Sequence, residues 1–150
     1  MKNADVTPER AAFLLKAMQD TLAEMELCML ALRKSHREEV LAMAETMIDE
    51  HGQLGLEMEQ LAQKKKLDAT LQMTEENLAL IDTIAQLSER DFDRGFAQQN
   101  RKDHEEHLRM FAQCAAHEQD RDIRALAQKG EKMFSKHLQM AKELEEKVAA

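Results

Sequence analysis

Apolar residues recur along this chain at alternating spacings of three and four, in long segments divided by short polar breaks. That period is helical. The first segment predicts a helix over about 8–33, opened by Thr7 as N-cap with Pro8 at the first helical position. Ala11, Leu15, Met18, Leu22, Met25, Met29 and Leu32 form a heptad seam that Leu14 and Cys28 widen. Glu24 and Glu26 flank it on opposite sides, each about 100° from its centre. After a break at 33–36, Ser35 and Glu38 read as a capping box opening a helix over 36–66. Its cationic close, Lys64-Lys65-Lys66, suits a helix C-terminus. On this helix Val40, Leu41, Ala44, Met47, Ile48, Gly55, Met58 and Ala62 share one arc. His51 lies near the centre of that arc, and Asp49 points to water.

A connection of some twenty residues follows, with its own amphipathic stretch over 74–87 capped by Thr74 and carrying Leu78, Ile81, Ile84, Ala85 and Leu87. So long a connection lets the chain cross the bundle, leaving the next helix parallel to the previous one. That helix is predicted over 89–117, with Ser88 and Asp91 at its start. Its inward face holds Asp93, Phe96, Ala97, Asn100, His104, His107, Leu108, Phe111, Cys114 and Ala115. From Asp93 to His107 this face is too polar for a plain core, a break that tends to mark function or strain. Asp93 lies about 16 Å along the axis from His104. It is therefore read as a separate buried acid paired with an arginine. The last helix, over 120–147, turns Ile123, Leu126, Gly130, Met133, Phe134, Met140, Ala141, Leu144 and Val148 to one face, with His137 at its centre. Glycines on such faces, Gly55 and Gly130, suggest close approach by a neighbour or room left for something. The predicted fold is all-α: one domain over 1–150, a ferritin-like four-helix bundle whose long crossover carries a short extra helix.

Composition supports helix throughout: one proline, four glycines, no tryptophan or tyrosine, and one third of the 150 residues charged. The net charge of −8 argues against a nucleic-acid partner. No run of about 18 apolar residues is present, so no membrane span is expected. The N-terminus has no apolar signal-peptide core, which predicts a cytoplasmic protein as written, or a periplasmic one if a leader has been removed. Cys28 and Cys114 are too few for a disulfide framework and are expected as buried free thiols. Most of the eleven methionines are read as core filler, although thioethers also bind Cu(I).

Chemistry enters with the histidines. Three helices each place one near the centre of the core face and near the helix midpoint: His51, His104 and His137. His107 is one turn from His104, and the first helix meets this level near Glu24. Converging imidazoles suit Zn, Cu, Fe or Ni. The expected cofactor is therefore one transition-metal ion (Zn, Cu or Fe). Its ligand candidates are His51, His104 and His137, with Glu24 or Met25 and His107 in support. Met25, Met47, Met133 and Met140 would assist copper. The alternative is a metal-free interaction bundle whose histidines pair with one another, with Asn100 or with buried water. A homo-oligomer is a further possible state. An enzyme is disfavoured. Di-iron bundles need Glu-x-x-His on two helices, and the residues three before the histidines are Ile48, Arg101 and Phe134. Cys114 and His117 form a lone Cys-x-x-His pair, expected by chance.

Several stretches resemble a family of uncharacterised bacterial ferritin-like domains often labelled predicted outer-membrane protein. They are Glu24-Met25-Glu26-Leu27, Asp49-Glu50-His51, Phe92-Asp93-Arg94, Asp103-His104 and Lys136-His137-Leu138 with Met140-Ala141. The similarity covers about residues 11–144. Phe96 stands where a tyrosine is usual, and Glu50 replaces an aspartate. The resemblance implies the fold and the place of the site. It implies no reaction, and it suggests metal or oxidative-stress roles by analogy.

Overall fold

A computed structural model describes residues 6–67 and 72–149. They form five helices: α1 Pro8–Lys34, α2 Glu38–Lys64, α3 Glu75–Ala85, α4 Glu89–His117 and α5 Arg121–Ala149. No strand occurs among the described residues. Part of the predicted connection, 68–71, lies outside them.

The helix starts follow from side-chain caps. Thr7, Thr74 and Ser88 hydroxyls accept the amides of Arg10, Asn77 and Asp91 at 3.2, 3.0 and 3.3 Å. Asp120 opens α5 by accepting the amides of Asp122 and Ile123, both at 3.0 Å. The start of α2 differs from expectation. Its N-cap is Arg37, without a side-chain cap, and Ser35 instead takes the Arg37 amide at 3.1 Å. No capping box forms, because Ser35 closes α1 through its own amide bond to the Ala31 carbonyl. At the other end of α2, Lys66 adopts φ 57°, so that its amide and that of Leu67 return to the carbonyls of Gln63 and Ala62. This is the glycine position of a Schellman motif, filled by lysine.

Three-residue turns make α1–α2 and α4–α5 antiparallel pairs. Cross-bundle ion pairs set the rest. Arg10 pairs with Glu118 at 2.7 Å, and Lys34 donates to the carbonyl of Leu87 at 2.9 Å, so α1 runs against α4. Lys65–Asp120 at 2.7 Å, Lys129–Glu57 at 2.5 Å and Lys136–Glu50 at 2.7 Å run α5 against α2. It follows that α2 and α4 are parallel, joined by the long connection that carries α3 over α1 and α4.

The apolar core is divided in two. Leu27, Cys28, Ala31, Val40, Met47, Phe92, Phe96, Ala141 and Leu144 belong to one cluster, and Leu14, Ala17, Leu54, Met58, Phe111, Ile123 and Phe134 to the other. Between them lies a polar layer drawn from all four long helices: Thr21, Glu24, His51, Asn100, His104, His107 and His137. Met47 and Met140 pack in the first cluster and Met133 against the second. Cys28 is buried and Cys114 only half-buried, both free.

Two sequence expectations are corrected. The core face of α1 is Leu14, Ala17, Met18, Thr21, Glu24, Leu27, Cys28, Leu30 and Ala31, which keeps Met18 of the predicted seam and the flanking Leu14 and Cys28 but turns the face towards Thr21 and Glu24. This rotation leaves Leu15 39 % and Leu32 37 % exposed. The reason is that the smaller side chains allow close approach, while Glu24 has a partner in the core. Asp93 is half-buried with no arginine partner among the described residues, and its Oδ1 accepts no hydrogen bond.

Gly130 is required by packing. A Cβ there would lie 2.3 Å from Phe111 Cδ2, on a ring that stacks edge-on with Phe134 at 4.8 Å. Gly130→Ala gains about 1 kcal/mol of helix propensity but overpacks a filled core, at about 1–3 kcal/mol. Denaturant titration should show a net loss of stability. Lys66→Gly should do the opposite, gaining about 1 kcal/mol by relieving the left-handed lysine.

Candidate metal centre

His51, His104 and His137 sit midway along α2, α4 and α5, each on the heptad seam that faces the core. They are 1 %, 0 % and 0 % exposed. Their ring centroids lie 4.9–5.4 Å apart: His51–His137 4.9 Å, His51–His104 5.3 Å and His104–His137 5.4 Å. Phe134 lies against His51 and His104 at 5.7 and 5.9 Å and closes one side.

The outer nitrogen of each ring is fixed. His51 Nδ1 donates to the Met47 carbonyl at 2.8 Å, and His104 Nδ1 to the Asn100 carbonyl at 2.8 Å. Both acceptors lie one turn back on the same helix, so rotamer and tautomer are set together. His137 Nε2 donates to the Glu50 carboxylate of α2 at 2.7 Å. A second Glu50 oxygen holds Lys136 at 2.7 Å. Each ring therefore has one nitrogen left with a lone pair: His51 Nε2, His104 Nε2 and His137 Nδ1. All three are buried and have no hydrogen-bond partner. One ligand nitrogen from each ring can be chosen so that the three lie within 4.8 Å of one another.

Electrostatics keep these rings neutral. Burial pushes His51 down to about 3, with the charge of His137 adding to it. Burial also holds His104 well below the ordinary histidine value, helped by His51 and His107. His137 is lowered by burial, and the Glu50 carboxylate opposes the shift. Neutral imidazole is the form that binds metals. Nitrogens about 2.0–2.1 Å from a zinc ion sit about 3.3–3.6 Å apart. Inward shifts of about 1 Å per ring would bring these three to that spacing. The three buried histidines could hold a metal ion.

The other predicted ligands lie outside this group. Glu24, 2 % exposed, is on the outer side of His104, its Oε1 4.0 Å from Nδ1 and 2.6 Å from the Asn100 amide nitrogen. Burial raises the Glu24 carboxyl well above its usual range, and the Asp103 carboxylate adds to this. His107 is one turn along, its Nε2 3.5 Å from Asp20, with Nδ1 unpartnered. Met25 belongs to the α1–α2 groove, where its Cε is 3.5 Å from the place a Cβ on Gly52 would take. Two contributors were missed by sequence patterning, Glu50 and Asp103. The available signal for Glu50 was its adjacency to His51, opposite the Lys136-His137 pair of an antiparallel helix.

An all-α helical bundle with a buried three-histidine cluster defines the class. The chain belongs to the family described as "Domain of unknown function (DUF4142)", whose profile it matches over residues 1–144. It is also similar to the crystal structure of a DUF305 fragment from Deinococcus radiodurans. That similarity has a TM-score of 0.84 at 13 % identity, over 95 % of this chain and 98 % of that one. At such identity the likeness speaks for the fold. No curated protein matches the chain.

The sign of the acid response follows from the depressed histidines. In the unfolded chain they take up protons below about pH 6.5, while folded His51 stays neutral to about 3. The stability this neutrality carries is complete above about 6.5 and is lost as the pH falls towards 3. For His51 alone the loss is about 2 kcal/mol at pH 5. Chelator-treated protein should melt at progressively lower temperature from pH 7 to pH 5. A flat profile would contradict the neutral buried triad.

Proposed function

We propose that this chain is a transition-metal-binding protein of ferritin-like four-helix architecture, holding one Zn, Cu or Fe ion on His51 Nε2, His104 Nε2 and His137 Nδ1. The observation that supports this is a buried cluster of three histidines, each with one unpartnered nitrogen and with its other nitrogen already committed. Each unsatisfied acceptor costs about 1–3 kcal/mol, and a cation relieves all three at once. The chemistry of the donors agrees: imidazole suits these borderline metals. A carboxylate on the outer nitrogen of a ligand, as Glu50 on His137, fixes the ring and raises its basicity.

Three protein ligands leave a fourth position for water or a small exchangeable ligand. The three histidines are almost wholly buried between two apolar clusters, so a large substrate would not reach them directly. Retention of an ion suits such a site better than turnover, which favours a role in metal homeostasis or stress over an enzymatic one. The second reading, a metal-free bundle, is supported by the same layer, since ordered water can also satisfy converging acceptors.

Elemental analysis of untagged protein, purified without chelator and then exposed to Zn2+, Cu2+ or Fe2+, separates the two. One ion per chain is expected, falling to background in His51→Ala and in His137→Leu. Protein that stays metal-free after all three exposures would leave the hydrated histidine network.

A further inference from the structure

A centre with no exposed ligand needs a way in. A cavity of about 240 Å³ lies between α1, α3 and α4 and reaches the polar layer. Its lining includes Asp20, Glu24, Glu76, Asp103, Glu106 and His107. Five carboxyl groups face one ammonium, Lys16, which lies 3.0 Å from Asp20 and 3.9 Å from Glu106. Burial holds Glu24 and Asp103 towards their neutral forms, so the negative charge is carried chiefly by Asp20, Glu76 and Glu106. Two of the lining residues touch the centre's surroundings. Glu24 approaches His104 Nδ1 at 4.0 Å, and the His107 ring stands 5.9 Å from that of His104. His107 is more than nine-tenths buried, and its Nδ1 has no partner. A buried imidazole in the lining of this cavity, with a spare lone pair, is an intermediate stop for a cation that carboxylates alone would not make.

The opposite approach is electrostatically poor. At the α2–α5 groove the outer side of His137 is covered by Glu50, and that carboxylate is already paired with Lys136, with Lys129 about two helical turns away on the same helix.

We propose that the α1–α3–α4 cavity is the loading port of the three-histidine centre: a divalent cation is gathered at its mouth by Asp20 and Glu106 and passes His107 to reach the histidines. This rests on the metal-binding reading above. The physical basis is field focusing. A cleft lined by one sign of charge raises the local concentration and on-rate of a counter-ion by about 10–10³-fold, and the effect falls with ionic strength. Glu106 is the outer group, 56 % exposed at its side chain, and Asp20 the inner one at 15 %. The port residues thus control the rate of loading, and the histidines control whether the ion stays.

The test is Co2+ uptake by the full chain, followed by its visible absorption in a stopped-flow instrument at low ionic strength, with elemental analysis of the end point. In Asp20→Asn/Glu106→Gln the second-order uptake rate should fall about tenfold, with one ion per chain still bound. Glu106→Lys, a change at an exposed position that does not threaten folding, should slow uptake at least as much. Added salt should bring the wild-type rate down towards that of the variants. Glu143→Gln/Glu146→Gln removes the same charge from a remote face of α5 and should leave the rate unchanged. Wild-type rates in Glu106→Lys and in the double variant, with full loading, would overturn the port and leave the centre standing. Equal slowing by the remote pair would overturn it as well. A wild-type chain that takes up no Co2+ would remove the centre itself, and the port with it.

Discussion

Three neighbouring buried imidazoles, each with one nitrogen that has no hydrogen-bond partner, are the constraint on which this structure turns. Like acceptors repel, and none of the three has a donor within reach. Switching tautomers gives no relief, because each outer nitrogen would then lose the carbonyl or carboxylate it now serves. At about 1–3 kcal/mol for each orphan acceptor, the layer sets aside a sizeable share of the 5–15 kcal/mol by which domains are stable. A proton is a poor remedy, since burial disfavours the charged ring. What remains is a cation or bound water. The two apolar clusters are the counterpart: they flank the layer, with Phe134 of the second cluster against the rings of His51, His104 and His107.

The helices reach this arrangement by ordinary periodicity, and for two of them the sequence says so openly. In α2, residues 40, 44, 47, 51, 54, 58 and 62 are all buried, as are 123, 127, 130, 134, 137, 141, 144 and 148 in α5. Each seam contains one histidine among apolar residues, so its position can be placed from the local pattern. Residue α4 positions 100, 104 and 107 could be read the same way. Helix α1 could not. Leu15, Leu22, Met25 and Leu32 outrank Leu14, Ala17, Thr21 and Cys28 in apolar bulk, yet the second set faces inward. What decides the face is non-local: Asn100, 76 residues away, gives Glu24 its hydrogen bond. A helix's own pattern carries no record of that partner.

The same limit explains the rest of what the chain concealed. The periodicity of α2 puts Glu50 off the seam, and only the antiparallel register with α5 makes it the partner of His137. Gly130 was legible as a close approach, but not that the ring of Phe111 is what approaches. Ser35 carries a capping signature that a competing role at the end of α1 overrides. Local signals name elements and faces, whereas pair identities come from packing.

The three histidines are not held alike, and this gives the cluster a structural asymmetry. His51 and His104 are each fixed by a carbonyl one turn back on their own helix, so their orientation survives any motion in which α2 and α4 stay helical. His137 is fixed from across the bundle by Glu50, on a side chain 28 % exposed to solvent. Its orientation therefore depends on the register of α2 against α5. A slip between those two helices would free His137 while leaving the other two set. A cation bridging the three would resist that slip. Metal and helix register would then stabilise one another, by the general rule that a ligand favours the state that binds it. The ion would act as a cross-link between α2, α4 and α5, at the layer where the apolar core is interrupted and packing alone has least to offer.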